Sequence, residues 1–170
     1  MVSFIQLVLA LCLLKAGPED LPSGRSYLLL AAGFYGLVFV AVFSLTEWTL
    51  PPVVLAIQSL LFVAVTTTLL LRMAKRHARV QQTQMAIYSS SGMLNLLILL
   101  LQHVVLSVGD SILVPVTYTF LLVLIFWSFA IDAHIYSRAL DTSMWMGLFV
   151  AVMFLILNQL MITPWQVLPS

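Results

Sequence analysis

Five stretches of this chain, about 27–46, 51–71, 86–107, 112–134 and 144–163, run for some twenty residues each without a lysine or arginine. A helix needs about 20 residues to cross a hydrocarbon core roughly 30 Å thick. Lipid offers no partner to backbone N–H and C=O groups, so a segment of that kind has to satisfy its own polar groups as a helix. This repeated length constrains the fold more than any other feature. Composition agrees with it: 62% of the chain is apolar and 8% charged, against roughly a quarter charged in a soluble domain. So few ionisable groups could not cover a soluble surface of this size. The expected fold is all-α, an integral membrane bundle of five transmembrane helices forming one domain over 1–170.

The opening "MVSFIQLVLALCLL" is a different object. Fourteen residues of helix rise only about 21 Å, too little to span. The first charge, Lys15, follows the apolar run rather than preceding it, and "AGPEDLP" comes next, which is not the layout of a secretory signal. Residues 1–14 are expected to form an interfacial helix lying in the membrane surface or tucked under the bundle; a sixth crossing is the rival reading. Cys12 is the one cysteine, so no intrachain disulfide can form. Bulky Leu11 just before it argues against a lipidation signal.

The seven basic residues settle an expectation about orientation. With five spans, Lys15 and Arg25 precede the first, Arg72, Lys75, Arg76 and Arg79 follow the second, and Arg138 follows the fourth. All lie on one side, while the loops of the other side hold Glu47 and Asp110. Basic residues in short loops favour the cytoplasm, which puts the N-terminus inside and the C-terminus outside. The knot "RMAKRHAR" (72–79) therefore reads first as a topology signal, with attraction to anionic headgroups of about 1 kcal/mol per residue. Arg72, Lys75, Arg76 and Arg79 also form the candidate docking surface for a cytoplasmic partner, because Arg72 and Arg76, like Lys75 and Arg79, stand i,i+4. A net charge of +1 gives no support to nucleic-acid binding.

Polar residues within spans mark helix contacts or, less often, a pathway. In span three Tyr88, Ser91, Gly92, Asn95 and Gln102 fall within about one 100° sector. Span four gathers Thr117, Tyr118, Ser128 and Asp132 similarly. Asp132 is the one acidic residue inside a span, and its place near the end of that span predicts a position at the cytoplasmic boundary, at the surface or beside an arginine. Gly147 and Ala151, with Asn158, and Ala32 with Gly36 are small-xxx-small contacts of the kind that let membrane helices approach closely. No Gly-x-Ser-x-Gly elbow or His-x-x-x-His pair occurs. The expectation is a protein without catalytic activity, metal or cofactor.

"GPEDLP" (17–22) after a surface helix, "RVQQTQMAIYSSSGMLNLL" (79–97) and "IFWSFAIDAHIYSRALDTSMWMGLFVAVMFLILNQL" (125–160) resemble bacterial members of the YIP (Ypt-interacting protein) membrane family. The resemblance implies a five-span bundle with a non-enzymatic role. Its eukaryotic members are associated with small GTPases, but the long polar N-terminal region of those members is missing here, so no functional residue carries over. Two readings of function follow. The first is a scaffold or adaptor in the lipid bilayer that binds another membrane protein or itself. The second is a small permease or channel component whose path uses the polar face of span three with Asp132.

Overall fold

The computed structural model describes residues 3–45, 50–108 and 113–162. They form six helices: α1 (Phe4–Cys12), α2 (Arg25–Phe43), α3 (Pro52–Met73), α4 (Val80–Val108), α5 (Leu113–Leu140) and α6 (Met144–Ile162). Short 3₁₀ turns lie at Pro18–Asp20 and His77–Arg79. Helices α2 to α6 are each long and apolar enough to cross a membrane. The chain is an all-α, multi-pass membrane protein.

Two boundaries differ from those the hydropathy suggests. Helix α4 begins at Val80 rather than 86, and α5 runs on to Leu140 rather than stopping at 134. The added turns are polar, and tertiary bonds hold them. Gln82 Nε2 donates to the carbonyl of Leu21 at 2.9 Å, and Gln84 Nε2 donates to Ala64 O and Thr68 Oγ1 at 3.0 Å each. The acidic Glu47 and Asp110 of the opposite loops lie outside the described residues.

Helix α1 starts on a reciprocal cap: Ser3 N–H donates to Gln6 Oε1 at 2.9 Å, and Gln6 N–H donates to Ser3 Oγ at 3.3 Å. Its nine residues rise about 14 Å, which falls short of a crossing. It lies against α4, with Val8 and Leu11 buried and Ile5, Leu9 and Leu13 turned outward. The Phe4 ring meets Tyr27 of α2 at a centroid distance of 5.4 Å. At the other end of α1, Trp127 Nε1 donates to Cys12 O at 3.0 Å. His134 Nε2 donates to Ala16 O, also at 3.0 Å. This short helix is thus pinned against α2, α4 and α5.

The five long helices close into a ring in the order α2, α4, α5, α6, α3, with α3 meeting α2 and α6 to complete it. The α2–α4 and α5–α6 seams are the most extensive, and both depend on a glycine. A Cβ at Gly92 would stand 2.7 Å from Phe34 Cδ1 and 3.3 Å from Tyr35 Cα. At Gly147 a Cβ would strike the carbonyl oxygen of Ala133 and stand 2.8 Å from the Ser137 nitrogen. Close approach of this kind is how membrane helices gain packing when no hydrophobic force distinguishes neighbour from lipid. The small-residue contact expected at Gly147 and Ala151 is therefore the α5–α6 seam, and Ala151 is buried in it.

Candidate functional site

All five spanning helices contribute to a partly open polar chamber within the ring. A lobe of about 130 Å³ is lined by Tyr35 of α2, Ser59 and Thr66 of α3, Ser91 of α4, Ser128, Asp132 and Tyr136 of α5, and Asn158 of α6, with apolar side chains between them. A second lobe of about 260 Å³ shares Tyr35, Ser91, Ser128, Asp132 and Asn158 and adds Asn95 and Gln159. Because these residues line both lobes, the two adjoin, and Asp132 lies on the wall they share.

Asp132, expected near the cytoplasmic boundary, lies short of the end of its helix. Helix α5 extends eight residues past it to Leu140, so the carboxyl sits about 12 Å along the helix from that end. It lines the chamber, within electrostatic range of the Tyr35 and Tyr136 hydroxyls. Among the described residues none of the ion pairs includes it. His134, two residues on, points to another face and is bonded to Ala16 O.

Some of the chamber's polar groups satisfy one another and some do not. The Tyr35 hydroxyl and Ser59 Oγ share a buried hydrogen bond of 2.7 Å. Thr66 Oγ1 and Ser128 Oγ donate to carbonyls of their own helices, Phe62 O at 2.6 Å and Ile125 O at 2.7 Å. Asn158 Oδ1, by contrast, is buried with no hydrogen-bond partner among the described residues. Buried polar atoms in native proteins are paired in the great majority of cases, so an orphaned acceptor lining the same chamber as a carboxyl is a chemical signal. The chain matches no protein-family model, no curated protein and no solved structure. Chemistry at this site is therefore read from geometry alone.

The chamber gathers Ser91, Asn95, Ser128, Asp132 and Asn158 from the residues singled out in the sequence. Tyr88 and Gln102 lie elsewhere. Tyr88 donates its hydroxyl to Leu60 O at 2.8 Å, clamping α4 to α3, while the buried Gln102 Oε1 has no partner among the described residues. Tyr118 is turned outward at 55% exposure, so it does not share the Asp132 face. Tyr35, Ser59, Thr66, Tyr136 and Gln159 went unnoticed in the sequence. Tyr35 is an isolated polar residue in an apolar span, Ser59, Thr66 and Gln159 sit beside other polar residues, and Tyr136 lies past the expected end of span four, so no periodic stripe marks any of them.

The basic residues converge at one end of the bundle, and half of the knot is already engaged. Arg76 and Arg79 each approach Asp141 at 2.9 Å, in the link between α5 and α6. Arg79 also donates to the carbonyls of Arg138 and Ala139 at 2.9 and 3.3 Å, capping the end of α5. Arg138 in turn pairs with Glu19. The hydrogen bond from Arg79, with the charge of Arg76 beside it, holds the Asp141 carboxyl below the usual carboxylate range. Arg72 and Lys75 remain exposed and enter none of the ion pairs among the described residues.

Proposed function

We propose that this protein is a small permease or channel component of a bacterial inner membrane, with the Asp132 chamber as its working site. One observation carries the reading. Five apolar helices converge on a single polar space that holds a carboxyl outside any described ion pair and an unpartnered amide oxygen. An ionisable group inside a span is costly, on the order of 2.5–3.5 kcal/mol on insertion scales, and such groups mark solute or ion paths. A bundle that served only as a scaffold could fill this space with leucine. The chain acts without covalent chemistry of its own in this reading, and its patterns at 79–97 and 125–160 resemble those of YIP-like proteins.

The basic end faces the cytoplasm in this reading, with the N-terminus inside and the C-terminus outside. A fluorescent reporter that matures only in the cytosol, fused to the C-terminus, should stay dark, and a periplasmic enzyme fused there should be active. The opposite result reverses the orientation.

A second reading, the adaptor, is favoured by Arg72 and Lys75, which keep exposed charge beside neighbours that are paired. The two separate in one set of preparations. Vesicles containing the purified protein are tested for passage of small ions and small polar solutes, alongside Asp132→Asn. Flux that is present in the native chain and lost in the variant supports the permease. If native vesicles pass no more than empty ones, while Arg72→Glu with Lys75→Glu sheds a stoichiometric companion, the adaptor takes its place.

A further inference from the structure

We propose that the chamber is a binding site for a singly charged metal cation of the alkali class, with Asp132 supplying the charge and the Asn158 Oδ1 oxygen a neutral ligand. The inference rests on the chamber being the working site, and it does not require transport.

The first argument is charge. No lysine, arginine or histidine lines either lobe. The basic groups closest in sequence to Asp132 on α5 are committed elsewhere, His134 to the Ala16 carbonyl and Arg138 to Glu19. The groups facing Asp132 from α2 and from its own helix are the Tyr35 and Tyr136 hydroxyls, which carry no positive charge. A carboxylate withdrawn from water without a counter-charge is strongly unfavourable, and a cation inside the chamber offsets it in competition with a proton.

The second argument is donor chemistry. The lining polar groups are all oxygen-bearing side chains: one carboxyl, amides, serine and threonine hydroxyls and tyrosines. Oxygen donors suit hard cations, whereas imidazole and thiolate suit zinc and copper. Among the described residues no group of three His, Cys, Asp or Glu side chains comes together, and a divalent ion at a single carboxyl would leave a positive charge uncompensated in the bundle.

The third argument is the orphaned oxygen. Asn158 Oδ1 can only accept or ligate, and it lacks a donor among the described residues. The Tyr35 and Ser59 hydroxyls, bonded to each other, are not free to turn both protons toward it. A cation between Asp132 and Asn158 satisfies both at once. With about 130 Å³ in one lobe and about 260 Å³ in the other, there is room for an ion that keeps part of its water shell.

The test uses the whole chain in mild detergent. Binding of radioactive sodium is measured by equilibrium dialysis, with lithium, potassium and choline as competitors at constant ionic strength. The expected result is saturable binding near one ion per chain, displaced by unlabelled alkali ions and untouched by choline. Asp132→Asn should abolish it, Asn158→Leu should weaken it about tenfold as one ligand is lost, and Tyr118→Phe on the outer face should leave it unchanged. Absence of binding to the native, folded chain overturns the proposal. So does an Asp132→Asn protein that binds as the native one does. Cation binding without flux in vesicles sinks the permease and leaves this site standing, whereas flux of a neutral solute with no cation binding does the reverse.

Discussion

Replacing Gly147 with alanine tests a close approach of α6 to the α5 backbone. An added Cβ would meet the Ala133 carbonyl oxygen and lie 2.8 Å from the Ser137 nitrogen, so both obstacles are α5 backbone. Neither can rotate away, and α6 has to move instead. Overpacking of this sort costs about 1–3 kcal/mol, and a backbone obstacle puts it at the upper end of that range. Alanine returns about 1 kcal/mol of helix propensity, so the net loss is about 1–2 kcal/mol. Gly33 supplies the control, because a Cβ there meets nothing within 4 Å and Gly33→Ala should gain about 1 kcal/mol. The two variants should therefore differ by about 2–3 kcal/mol, or roughly 30- to 150-fold in the folding equilibrium. Titration into denaturing detergent, followed by far-ultraviolet circular dichroism, reads that difference directly. If Gly147→Ala proves as stable as Gly33→Ala, the tight α5–α6 seam is not where the structure puts it.

Further outcomes follow from other contacts. The Asp141 carboxyl is held low chiefly by its hydrogen bond from Arg79. Its contribution is therefore complete above an unfolded value near 4 and fades as pH falls through the lower folded value. Asp141→Asn should flatten that acid limb of the stability profile, and an unchanged limb counts against the strap. Arg79→Ala, which also frees the Arg138 and Ala139 carbonyls, should cost about 1–3 kcal/mol in the same unfolding assay. Burial pushes the Cys12 thiol up to about 11. Maleimide labelling at pH 8 should accordingly run on the order of a hundredfold slower than for a free thiol, and Trp127→Phe, which removes the bond to Cys12 O, should speed it by loosening α1. A double-mutant cycle of Tyr35→Phe and Ser59→Ala should return a coupling of roughly 0.6–1.7 kcal/mol for their buried hydrogen bond, and zero coupling refutes the contact.

Hydropathy located every spanning helix because apolar run length is a local quantity that lipid enforces directly. It misplaced the start of α4 and the end of α5 for a related reason: hydropathy reports contact with lipid, and these helices continue beyond their apolar stretch. The polar turns hold their helical form through Gln82, Gln84 and His134, whose acceptors Leu21, Ala64 and Ala16 lie on distant segments. The pairing of Arg76 and Arg79 with Asp141 was hidden in the same way, since no spacing rule joins residues more than sixty positions apart.

The chamber shows what kind of signal a single sequence lacks. The polar stripe of span three is real as a stripe, yet its members meet three different neighbours. Tyr88 reaches α3, Gly92 admits α2, and Ser91 with Asn95 faces the chamber. A sector of about 100° on a helix at the centre of a bundle is wide enough to touch several partners, so shared periodicity does not imply shared purpose. Tyr35, Ser59, Thr66 and Tyr136 gave no stripe at all, because each helix of the ring sends only a few polar groups inward. Their meeting depends on the closure of α3 onto α6, a long-range contact that no window along the chain contains. Asp132 was the one local clue, as the only carboxyl inside a span. Its neighbours across the chamber come from four other helices, and no window along α5 contains them.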